Sequence, residues 1–254
     1  MEIKIIHKDA KINMRGGIVL DGFPSTGLIN AIVSECLIRS IGTELVAVVD
    51  SPEFPPVSII ENHVPQFPAR IYVNEKLRVA FFVSEVNMGA STERVIAEMI
   101  FKWALQYECR MIVSSSGIMI DSEEGDGKQG LSEQDRNLEQ GMKSQVMAIT
   151  STESAAKIAE ENGFIRFKSG TITGIPAILL NEGALTNFDV IVLLTEVLKD
   201  VPDFHAAALI SEAVTKLIPG LSCDLASLMV EAQSAESHIN SIIKNHNQRR
   251  LPYY

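Results

Sequence analysis

Short runs rich in β-branched residues recur along the chain at 3–6, 17–20, 45–49, 70–73, 79–83, 111–114, 146–149, 177–180 and 190–194, and several are separated by segments of helical length. Each run reads as a strand, because β-branched side chains fit a pleated surface better than a helical one. Segments 26–40, 91–107 and 152–162 read as helices, each opening near a Ser or Thr able to accept a hydrogen bond from a free N-terminal amide. The run Val190, Ile191, Val192, Leu193, Leu194 has no polar alternation at all. A strand apolar on both sides needs cover on both faces, so the pattern predicts a three-layer α/β/α domain around a mixed, mostly parallel sheet.

No repeat and no linker divides the chain. With 254 residues, 46% of them hydrophobic, it can fill one large core. The expected organisation is a core over residues 1–220, a C-terminal helix over 221–246 and a tail over 247–254. Two stretches interrupt the alternation: the prolines at 52, 55, 56, 65 and 68, and the acidic, glycine-rich loop 121–130. Neither is expected inside a regular element.

Charge excludes some functions. Lys and Arg number 22 against 32 Asp and Glu, a net charge of −10, and Arg249–Arg250 is too small a basic patch for a nucleic-acid partner. Cys36, Cys109 and Cys223 are odd in number, far apart and without a C-x-x-C pair, so neither a disulfide framework nor a zinc site is expected. A reducing, cytoplasmic compartment fits that usage. The N-terminal residues lack the charged-then-apolar order of a signal segment, and no apolar stretch approaches the ~20 residues that span a bilayer.

Catalytic motifs are incomplete. The turn formed by Gly22, Phe23, Pro24, Ser25, Thr26 and Gly27 follows a strand and opens a helix, where backbone amides could hold an anion. It lacks the Lys-Ser or Lys-Thr of a phosphate loop and the glycine spacing of a dinucleotide site. Ser114, Ser115, Ser116 and Gly117 are expected at a strand end but lack the nucleophile-elbow spacing. Histidines 7, 63, 205, 238 and 246 show no metal spacing, and His205 is expected to cap or pack a helix start. Glu123, Glu124 and Asp126 do not follow the calcium-loop pattern. Glu182, Asp189 and Glu196 read as edge charges, while Asn181, Glu182 and Gly183, following an apolar strand, could face a crevice. An enzyme acting on a small molecule between the 22–27 turn and residues 114–117 is the rival reading, and convergent polar groups of perturbed acidity would favour it.

After Asp203 the rhythm changes to two helical segments, 204–218, stopped by Pro219–Gly220, and 223–244. In the second, Leu225, Leu228, Ala232, Ala235, Ile239 and Ile242 fall at heptad a and d spacing, a seam for packing on the domain or for self-association. Behind Arg249–Arg250 come Leu251, Pro252, Tyr253 and Tyr254: an apolar pair, an aromatic with a polar tip and a carboxylate, stiffened by proline. Captured by a lysine, that carboxylate would contribute a charge-assisted hydrogen bond of about 1.5–3 kcal/mol.

The 22–29 turn and helix start, Phe54–Pro55–Pro56, the block 174–182 and the stretch 202–207, in this order and spacing, resemble the proteasome assembly chaperone family, in particular its archaeal members related to the second eukaryotic assembly chaperone. The resemblance implies an α/β/α fold similar to that of nucleoside phosphorylases and related hydrolases, no cofactor and no active site. It implies binding to proteasome α-subunits without ATP, as activator or assembly chaperone. It also gives the tail a meaning, since such proteins end in a hydrophobic residue, a tyrosine and any residue, a motif docking between adjacent α-subunits. Here Pro252 takes the hydrophobic place with Leu251 beside it, Tyr253 the tyrosine and Tyr254 the variable end. One tail binds weakly, so the reading calls for a homo-oligomer presenting several, with an avidity gain of roughly 10²–10⁴.

Overall fold

The computed structural model describes residues 3–7, 12–87, 89–119, 145–197, 202–224 and 230. Strands β1 (Lys4–His7), β2 (Ile18–Gly22), β3 (Glu44–Asp50), β6 (Ala69–Asn74), β7 (Val79–Ser84), β8 (Met111–Met119), β9 (Met147–Thr150), β10 (Ile165–Arg166) and β11 (Asp189–Val197) form one sheet, and β4 (Ile59–Glu61) with β5 (Val64–Gln66) form a separate hairpin. The sheet order is β1-β3-β6-β7-β2-β8-β11-β9-β10. Its centre, β7-β2-β8-β11, is parallel, the β1-β3-β6-β7 side is an antiparallel meander, and β9 runs antiparallel to β11 and parallel to β10.

Helices cover both faces, as the apolar strands require. On one face lie α2 (Ala90–Gln106) and α4 (Gly174–Thr186); on the other lie α1 (Ile29–Ile41), α3 (Glu153–Glu161) and α5 (Phe204–Leu217). The strands divide their side chains between two cores with period two. Val190, Val192 and Leu194 of β11 face Ile100, Trp103 and Leu179, whereas Ile191 and Leu193 face Ile29, Val33 and Ile210.

Several expectations are corrected. Residues 177–180 are not a strand but part of α4, because Ile175 and Leu179, four apart, are both buried on one helical face, and a short apolar run carries no periodicity that separates the two states. Asn181, Glu182 and Gly183 therefore sit on a helix. Gly183 is needed there: a Cβ would lie 2.6 Å from Val190 Cγ2 and 2.8 Å from the Phe188 carbonyl. Pro65 does sit in a regular element, the β5 strand of a hairpin that is two-stranded among the described residues, where a missing N–H costs little. Ser114, Ser115, Ser116 and Gly117 lie inside β8, not at its end. Thr152 caps α3 by accepting the Ala155 N–H at 3.0 Å, but Asp203, not His205, caps α5 through the Ala206 N–H at 2.9 Å, leaving His205 exposed.

Cysteine pairing is the largest correction. Cys36 on α1 and Cys223 beyond α5 form a disulfide, their Cα atoms 5.4 Å apart and 187 residues apart in sequence. Spacing says nothing about such a pair, because packing of α5 against α1 brings the two ends together. Cys109 remains a buried free thiol, pushed up to about 12 by burial. No helix among the described residues is long and apolar enough to cross a membrane. The acidic loop 121–130 and the 225–242 seam, apart from Val230, lie outside the described residues.

Candidate functional site

The strand-to-helix turn singled out by the sequence is organised by Asp21, the fourth residue of β2. Its Oδ1 accepts the Phe23 N–H at 3.0 Å, and its Oδ2 accepts the Ser114 hydroxyl at 2.7 Å and the Asn30 Nδ2 at 3.2 Å. Asn30, in the first turn of α1, bridges onward: its Oδ1 accepts both the backbone N–H of Ser115, at 2.7 Å, and the Ser115 hydroxyl. The chain reaches α1 through a short 3₁₀ turn, Thr26–Leu28, in which Gly27 (φ 72°) and Leu28 (φ 54°) adopt left-handed backbone conformations. Gly22 packs against the Ser34 side chain, where a Cβ would collide, so β2 and α1 approach closely enough for these bonds.

The structure thus does join the 22–27 turn to Ser114 and Ser115, as the enzyme reading requires, and burial raises the Asp21 carboxyl to about 6 against the lowering effect of its Ser114 and Phe23 hydrogen bonds. Asp21, Asn30 and Ser114 are each 2% exposed and Ser115 is 3% exposed. The four satisfy one another, and none of them lines the groove between α1 and the β4–β5 hairpin. Buried this deeply, the network acts as a polar lock between β2, β8 and α1. No group of three or more His, Cys, Asp or Glu side chains able to hold a metal occurs among the described residues.

Open space lies elsewhere. Helix α1 packs over β2, β7 and β8, leaving β6 beyond its edge, and the β4–β5 hairpin stands on the far side. Between them runs a groove of about 1140 Å³. Arg70, 5% exposed, lies at its base. One guanidinium nitrogen is ion-paired with Glu85 and another lies 3.8 Å from Glu61 of the hairpin, while the Tyr72 ring lies 5.7 Å from the guanidinium carbon. Burial raises the Tyr72 hydroxyl above its ordinary value. Exposed Ile60 and Leu28 flank the groove, and Cys223 and Asp224 close one wall. Sequence reasoning missed Arg70. The available signal was a single charge inside the apolar strand Ala69, Arg70, Ile71, Tyr72, Val73, since a charge in such a setting must find a partner.

The residues expected to dock a partner, Leu251, Pro252, Tyr253 and Tyr254, lie outside the described residues. Residues 19–243 match the PAC2 family. The chain belongs to the PAC2 family. An uncharacterised protein of Methanocaldococcus jannaschii is 24% identical over 245 residues, 96% of this chain and 92% of its own length. Among solved structures, Pyrococcus furiosus PbaA, an archaeal homolog of proteasome-assembly chaperone, is similar with a TM-score of 0.76 at 24% identity, covering 98% of this chain and 94% of PbaA. Pyrococcus furiosus PbaB, an archaeal proteasome activator, has a TM-score of 0.74 at 20% identity, covering 95% and 98%. At these identities the likeness establishes a shared PAC2 fold over almost the whole chain.

Proposed function

We propose that this PAC2 protein is a non-enzymatic, ATP-independent proteasome-binding protein, an activator or assembly chaperone, whose residues Leu251, Pro252, Tyr253 and Tyr254 dock between adjacent α-subunits of a core particle. The supporting observation is the near full-length likeness to both PbaA and PbaB, in a body where Asp21, the one carboxyl with a raised value among the described residues, is buried. In this reading the 1–220 core is a platform in the cytoplasm, the 221–246 helix serves self-association, and 247–254 is the docking tail. A gate responds only to a ligand that binds its open form more tightly, so tail-binding energy, multiplied by copies in a homo-oligomer, supplies the drive.

Mixing the protein with a core proteasome and following peptide hydrolysis tests this. Stimulation lost on deleting the last three residues, with fold and oligomer intact, supports the reading; stimulation undiminished by that deletion sinks the tail. Retention of free α-subunits but not of the complete particle identifies the assembly-chaperone form.

A further inference from the structure

The groove between α1 and the β4–β5 hairpin has a charge and shape that the proteasome-binding reading does not use. Four carboxylates, Glu35, Glu61, Glu85 and Asp224, line it against two guanidinium groups, Arg39 and Arg70. Glu61 and Glu85 converge on the single Arg70, so one guanidinium serves two anions and the wall stays negative. Around this lie apolar side chains open to water, with Ile60 67% and Leu28 37% exposed.

The rest of the chain starts on this rim. Asp224 lines the groove, and its neighbour Cys223 is tied covalently to Cys36 of α1. Twenty residues later begins a stretch, 244–254, carrying Lys244, Arg249 and Arg250, then Leu251, Pro252, Tyr253 and Tyr254, with no acid after Glu236. In a protein of net charge −10 this stretch has three cationic and no acidic side chains, and its cations are followed by the apolar and aromatic groups that an open apolar groove accepts. Segment 225–243 offers less, since Glu231 and Glu236 would face a negative wall. As the proposed helix, segment 225–243 spans about 30 Å, and the eleven residues after it reach about 35 Å, enough to bring Tyr253 back to the groove, at a loop-closure cost that grows only logarithmically with length.

We propose that residues 244–254 dock in the α1–hairpin groove of their own chain, with Arg249 and Arg250 against Glu61 and Glu85 and Tyr253 on the apolar rim by Ile60. The tail is then held on the body until a stronger site competes for it. The holding role rests on the proteasome-binding reading; the docking itself does not.

The test uses the full chain alone, with Tyr253 replaced by the photo-crosslinking residue p-benzoyl-phenylalanine. Illumination is expected to give crosslinks within one chain, mapped by mass spectrometry to residues 28–39 or 59–61. Their yield should fall at least about threefold in Glu61→Lys, which replaces one ionic contact at a solvent-exposed position by a repulsion between like charges. Crosslinks elsewhere, crosslinks only between chains, or a yield unaffected by Glu61→Lys in a variant of unchanged circular dichroism would overturn the inference. Adding core particles separates the two readings: intrachain crosslinks that form but are not displaced support groove docking and count against ring docking.

Discussion

Asp21 and Ser114, 93 residues apart in the chain, are joined by a buried hydrogen bond of 2.7 Å that fastens β2 to β8 beneath the first turn of α1. The carboxyl is held at about 6, above its ordinary 3.8, because burial disfavours its charged form. A folded-state value above the unfolded one means the folded protein keeps a proton that the unfolded chain has released. This contribution is therefore complete below about pH 4 and is lost as pH rises through about 6. Its size is on the order of 2–3 kcal/mol, from about two pH units at 1.36 kcal/mol each. Urea unfolding between pH 4 and 7 should show a fall in stability in wild type that is absent in Asp21→Asn; parallel profiles would refute the assignment.

The Cys36–Cys223 bridge closes most of the chain into a loop. Cys223→Ser should lower stability by about 2–5 kcal/mol. Thermal melts with and without a dithiol reductant check this: reduction should lower the Tm of the wild type and leave that of Cys223→Ser unchanged.

Gly183→Ala places a methyl group against Val190 and the Phe188 carbonyl, within a helix–strand contact that leaves no room for it. The helix propensity gain of alanine, about 1 kcal/mol, is outweighed by an overpacking cost of about 1–3 kcal/mol. Chemical denaturation should show a net loss; a stabilised variant would mean that α4 can move away from β11 freely.

Arg70 holds the hairpin to the sheet through Glu61. Arg70→Met keeps the volume and removes the charge, so amide exchange across 59–66 should speed up while β6 and β7 stay protected. Unchanged exchange across 59–66 would show that the hairpin is held by other contacts.

Eight of the nine strand runs, the three inner helices and the 204–218 helix were legible because local rules decide them: β-branched runs, apolar periodicity, a Pro–Gly stop. The 177–180 run was misread because four apolar residues satisfy a buried strand and a buried helix equally, and only Leu179 meeting α2 and β11 selects the helix. The β4–β5 hairpin was hidden by prolines that a two-stranded ribbon tolerates.

The alternation of its segments by itself determined the layered α/β architecture, because strands without a polar side must be covered twice. Which distant groups meet was decided only in three dimensions. Asp21 with Ser114, Cys36 with Cys223, and Arg70 between two glutamates depend on strand order and helix docking, and sequence separation carries no information about either.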